Sequence, residues 1–248
     1  MDRSLLRRIR SDIIFILCFS LVFSVYCGGA HYLFTRAEEY SENTEADYAI
    51  SERLIIIDPG HGGEDGGAIG INGVYEKELN LDISEVLATY LRFAGFEVVL
   101  TRTEDVLLYD RNVDYKGRKK VLDLAARLNI AEELMPDLFI SIHMNAFPDS
   151  RYSGLTVYYS PNNEASLKAA QTIRTDVIKM IQRENKRELK KAGSNIYLLD
   201  RMSCPSVLIE CGFLSNESEC TALSTDEYRH KLSLVFFSSV SSFFANKS

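Results

Sequence analysis

Two histidines and two glutamates in this chain stand where a metal-assisted hydrolysis would need them. His61 follows the apolar run LIIID inside DPGHGGEDGGAIG, His143 closes LFISIH, and Glu210 closes SVLIE ahead of CGFLSN. Glu76, in NGVYEKELNL, sits just before a helical pattern. A buried strand that ends in His or Glu carries a desolvation cost unless the polar group finds a partner. Two imidazoles and one carboxylate are a common ligand set for a catalytic zinc, which keeps a fourth position for water. The chain has no HExxH and no CxxC pair, so a site of this kind must be assembled from distant segments. Taken singly, each histidine is more often a structural or surface group than a ligand. His31 borders the N-terminal apolar run and His230 lies on a helix without polar partners, so neither is a candidate.

Around these four lie residues with weaker claims. The turn over residues 60–67 could bring backbone close to a metal and a substrate, as glycine allows; the plainer reading is a tight turn. Asp58 and Asn145 could orient metal ligands by hydrogen bonds, or simply form turns. Cys211, beside Glu210, raises the alternative of a cysteine–histidine hydrolase. Such a nucleophile usually draws on a helix N-terminus, whereas Cys211 follows an apolar strand. A third alternative is a non-catalytic binding or partner-activating domain, against which the presence of all four polar residues argues. Lys179, Arg183, Lys186, Arg187, Lys190 and Lys191 form a basic stretch that reads as a solvated helix end and loop, tempered by Glu184 and Glu188.

The elements that must position these groups alternate along the chain. Strand patterns cover residues 54–58, 96–102, 138–143, 154–159 and 206–210, each short and rich in apolar or β-branched residues. Helical spacing covers 80–94, stopped by Gly95, then 116–134, ending before Pro136, then 165–182. Ser224 and Glu227 resemble a capping box that opens a last helix to about Phe244. Strands alternating with helices predict βαβ units: an α/β fold of one domain, with a mostly parallel central sheet and helices on both faces. In such sheets, sites form where strands end and loops begin.

A length of 248 residues suits one sizeable domain, and 46% hydrophobic with 25% charged residues excludes collagen-like, disordered and polytopic membrane classes. Net charge is −7, and without the first 27 residues it is −9, from 24 basic against 33 acidic groups. A body that acidic is not expected to bind nucleic acid. Residues 1–30 read as a signal peptide or N-terminal anchor: MDRSLLRRIR is basic, and the apolar run 13–26 falls short of the roughly 20 residues of a spanning helix. Residues 31–51 read as a polar linker and 52–248 as the catalytic domain, so export is expected. Of five cysteines, Cys204, Cys211 and Cys220 lie in that domain; an odd, clustered set argues against a disulfide framework.

Taken in order, DPGHGGxDxGA, ExxxN ahead of a helix, SIHxN and a strand ending in ExGFxSN resemble the zinc-dependent N-acetylmuramoyl-L-alanine amidases of the amidase-3 type. The resemblance runs from about Leu54 to Ala245 and includes LTR at residues 100–102 and YLL at 197–199. It implies that His61, Glu76 and His143 hold zinc and that Glu210 is the catalytic carboxylate. Glu78 matches no ligand of that pattern. The implied substrate is peptidoglycan, cut at the amide joining muramic acid to the L-alanine of its peptide stem. A departure is the stretch 105–120, longer and more charged than the usual loop. The ECGFLSN and YLL strings resemble the germination-specific, spore-cortex members, which leaves room for an accessory activating protein. The alternatives then become a Cys-dependent cell-wall peptidase and a non-catalytic wall-binding domain.

Overall fold

Ile55, Ile56 and Ile57 are fully buried because they lie in an inner strand covered on both faces. In this computed structural model, which describes residues 53–110, 112 and 116–245, that strand is β1 (Leu54–Pro59). The expected targeting segment and linker, with Cys27, His31 and Arg111, fall outside the described residues. The other strands are β2 (Glu97–Leu100), β3 (Leu138–Asn145), β4 (Thr156–Tyr159), β5 (Lys190–Lys191) and β6 (Ser206–Phe213). They form one sheet in the order β2-β1-β3-β6-β4-β5. The pairs β1–β2, β1–β3 and β3–β6 are parallel, and β4 runs antiparallel to β6.

Alternation along the strands sorts their residues into two cores. Ile55, Ile57, Ile140 and Ile209 pack with α1 (Glu76–Phe93), α3 (Glu164–Met180) and α6 (Asp226–Ala245). Ile56, Phe139 and Leu208 pack on the opposite face with α2 (Lys119–Leu134) and α4 (Tyr197–Arg201). Each fully buried Ile or Phe contributes roughly 1.5–3 kcal/mol. The described residues thus form a single α/β domain with helices on both faces of a mostly parallel sheet. Among the described residues no helix is long and apolar enough to cross a membrane.

Most boundaries shift by a few residues, β6 for instance running on to Phe213, and the larger differences lie at the first and last helices. Helix α1 opens at Glu76, four residues early, because the Glu76 N–H bonds the Ala68 carbonyl at 2.9 Å and Glu76 and Glu78 complement the helix dipole. A short α5 (Glu217–Leu223) precedes the last helix, capped by the Asn216 side chain on the Glu219 N–H at 3.1 Å. Ser224 therefore ends α5, and it is Thr225 whose hydroxyl accepts the Tyr228 N–H at 3.3 Å at the start of α6.

Candidate metal centre

Strands β1, β3 and β6 end side by side, and with the first residue of α1 they bring His61, Glu76, His143 and Glu210 to one edge of the sheet. His61 has φ of 62°, a left-handed conformation uncommon outside glycine. Its Nε2 lies 3.2 Å from Oε1 of Glu76, and Nδ1 of His143 lies 3.0 Å from the same oxygen. One ligand atom from each of the three residues falls within 4.8 Å of the others. Zinc bonds of about 2.0–2.1 Å in a tetrahedral site place ligand atoms roughly 3.3 Å apart, so the donor set fits that ion. This closeness requires glycine at two places. A methyl on Gly60 would overlap the His143 ring, and one on Gly67, where φ is 66°, would meet the Glu76 carboxylate and the His61 ring.

Glu76 is fixed from several sides. Its Oε2 accepts the Ala68 N–H at 2.8 Å and its Oε1 the Met144 N–H at 2.9 Å. Burial alone would raise its pKa, but His143 and His61 hold it well below the usual carboxylate range. Burial likewise opposes a charge on His61, yet Asp65 and Glu76 hold its pKa up at about 9. A place that so favours a proton has negative potential, and the same field favours a divalent cation. Asp65, which the sequence reading did not single out, stands behind His61: its Oδ2 is 3.0 Å from Nδ1, within ion-pair range though poorly aligned for a hydrogen bond. Its signal was the spacing, four residues after His61 inside one glycine-rich turn.

Glu210 pairs in register with His143 on the neighbouring strand, so both side chains leave the same face. Its Oε2 is buried and has no hydrogen-bond partner among the described residues, and burial raises its pKa. Beneath the centre, Arg127 Nη1 pairs with Asp58 at 2.6 Å while Nη2 donates to the His61 carbonyl at 2.7 Å. Arg102 donates to the carbonyls of Pro59 and Gly60, each at 3.0 Å. Asp58 thus reaches His61 through Arg127 and the backbone and touches neither imidazole. Asn145 gives its carbonyl to the Leu214 N–H at 2.8 Å; among the described residues no hydrogen bond joins its side chain to the three-residue cluster.

The other singled-out residues lie elsewhere. Cys211 points away from Glu210 into the core, fully buried, and burial pushes its thiol pKa well up. Cys204 is half-buried just ahead of β6, and all three described cysteines are free. Within the basic stretch, Lys190 and Lys191 form the exposed edge strand β5, whereas Arg187 is stacked 4.4 Å from the ring centre of Phe213 and is not simply solvated.

Residues 55–240 match the amidase-3 family, described as N-acetylmuramoyl-L-alanine amidase. The chain is 33% identical over 198 residues to the germination-specific N-acetylmuramoyl-L-alanine amidase of Bacillus subtilis, covering 80% of this chain and 82% of that one. Among solved structures it resembles the CwlD amidase from Clostridioides difficile, determined in complex with the GerS lipoprotein, with a TM-score of 0.74 and 34% identity over 79% of this chain and all of that one. It also resembles the amidase AmiC2 of Nostoc punctiforme, with a TM-score of 0.64 and 30% identity over 76% of this chain and 94% of that one.

Proposed function

This chain belongs to the N-acetylmuramoyl-L-alanine amidase family and is a peptidoglycan amidase, and from that premise we propose that His61, Glu76 and His143 hold a zinc ion beside which Glu210 transfers the proton. The observation that carries the proposal is the convergence of three donor atoms within 4.8 Å, with the Glu210 Oε2 on the neighbouring strand making no hydrogen bond among the described residues. When bound, zinc supplies Lewis acidity, polarising an amide carbonyl and lowering the pKa of water. Glu210 takes a proton from the attacking water and returns it to the departing alanine amine, an effect typically worth 10²–10⁴-fold. Asp65 keeps the His61 ring turned toward Glu76, and Arg127 holds the His61 backbone in its left-handed conformation.

Elemental analysis tests the ligand set, with one zinc expected per chain and none in a His61→Ala, His143→Ala double variant; stoichiometric metal in that variant overturns it. Glu210→Gln is expected to keep its zinc and lose turnover, while Cys211→Ala keeps turnover. A dead Cys211→Ala enzyme that ignores chelators would point to cysteine chemistry instead.

The biological setting is a narrower reading, supported by the germination-specific relative. We assign the enzyme to the outside of the cytoplasm, where it strips stems from selected muramic acids of spore cortex and leaves them ready for closure to the muramic lactam. The lipoprotein bound to the CwlD amidase supports an accessory protein for this chain as well. Spores lacking the chain should contain cortex without the lactam and with unstripped stems. Normal lactam content would refute the cortex role and leave the amide chemistry standing.

A further inference from the structure

At the Gly154 end of β4 lies a cleft of about 830 Å³ whose lining includes none of the four hydrolytic groups. Strand β4 leads into it. Thr156 pairs with Glu210, and Gly154, which lines the cleft, comes two residues earlier, so it lies roughly 7 Å further along at ~3.4 Å per residue. Glu219 of α5 ties this wall together, accepting the N–H groups of Gly154 and Phe213 at 2.8 Å each. Arg187 also lines the cleft, with its guanidinium carbon 4.4 Å from the ring centre of Phe213 and 5.2 Å from that of Tyr152. Its Nε donates to the Ser153 carbonyl at 2.7 Å. Glu219 feels its charge, yet among the described residues no carboxylate stands within ion-pair range of Arg187, and Nη1 and Nη2 donate to nothing. Lys186, on the same wall, makes no ion pair among the described residues either.

A guanidinium clamped by two rings and one hydrogen bond, with both terminal nitrogens spare, is preorganised for two-pronged binding of a carboxylate. The second residue of a peptidoglycan stem carries an α-carboxyl group, either free or amidated. Backbone dimensions put that group roughly 6 Å from the scissile nitrogen, comparable to the roughly 7 Å along β4 from Thr156, the partner of Glu210, to Gly154. We propose that this cleft is the stem-peptide subsite and that Arg187, with Lys186 beside it, binds the free α-carboxylate of the second stem residue. The assignment rests on the amidase reading and adds to it a direction: the stem leaves Glu210 across β4 toward α5.

The test is steady-state hydrolysis, by the zinc-loaded full chain, of two muropeptides that differ only in a carboxylate or a carboxamide on the second stem residue. The carboxylate substrate should show a KM about tenfold lower at similar kcat, the order expected for a charge-assisted hydrogen bond. Arg187→Gln should abolish that preference by raising KM for the carboxylate substrate alone, and Arg187→Lys should restore part of it. Equal KM values in the wild-type enzyme overturn the assignment without any variant. So does an Arg187→Gln enzyme that loses kcat alike on both substrates, since that marks a structural prop. If neither substrate is cut, the amidase reading fails, and the subsite is judged by titrating free stem peptide into isotope-labelled protein. Shifts at Arg187 with the carboxylate form alone support it, and identical responses to both forms refute it.

Discussion

In the proposed centre the group behind the His61 ring is Asp65, 3.0 Å from Nδ1. A carboxylate in this position fixes the tautomer and ring orientation, and its loss typically costs 10–100-fold in metal affinity. Asp65→Asn is therefore expected to weaken zinc binding by about that factor while leaving the fold intact, as read by competition with a chelator of known affinity; an unchanged affinity would show that the 3.0 Å contact is incidental. His61, Glu76, His143 and Glu210 were legible as candidates because apolar runs or a helical pattern border each of them. Asp65 was not, since an acid in a glycine-rich turn looks like any turn former until the positive φ of His61 brings the two side chains together. Arg187 looks solvated in the sequence for a similar reason: the rings that clamp it come from Tyr152 and Phe213, far away along the chain.

Among the elements, β1, β3 and α2 are joined by one buried pair. Asp58 accepts hydrogen bonds from Thr101 at 2.6 Å and Ser141 at 2.7 Å as well as from Arg127. Burial alone would raise its pKa, but the Arg127 charge and these hydroxyls outweigh it and hold the carboxyl below its ordinary value. A carboxylate whose folded pKa is depressed adds stability above its unfolded pKa of about 3.9, and that stability is lost as pH falls through the folded value. Asp58→Asn should thus be clearly less stable than wild type at pH 7, and the gap in urea midpoint should narrow below about pH 4. A gap that stays constant down to acid would exclude this linkage. Arg127→Met leaves Asp58 buried and unpaired and should cost about 3–5 kcal/mol. The inner strands were readable from their Ile, Val and Leu runs. The two-residue β5 and seven-residue α5 were not, because elements so short exist only through their partners in space.

On the scale of the whole molecule, the chemistry occupies one end of the sheet and the chain enters at the other. Arg53 pairs with Asp137 at 2.8 Å, and the Leu54 N–H bonds the same carboxylate at 3.0 Å, both just before β3 begins. All four site residues lie between this entry and the close of α6, so removing residues 1–52 should leave turnover per bound zinc and the urea midpoint unchanged; a loss of either would give the N-terminal segment a part in the folded domain. Cys204 also sits at that entry end, lining a hollow with Met135 and Pro136. Glu210 lies six residues further on, the last four of those steps within β6, a span of at most roughly 20 Å at ~3.3 Å per residue. Cys211 and Cys220 are fully buried while Cys204 is not, so a domain beginning at Arg53 carries one addressable thiol, slow to react because burial raises its pKa. A dye or bead coupled there would hang from the back of the enzyme and leave the working end turned outward, toward a substrate that is itself an insoluble mesh.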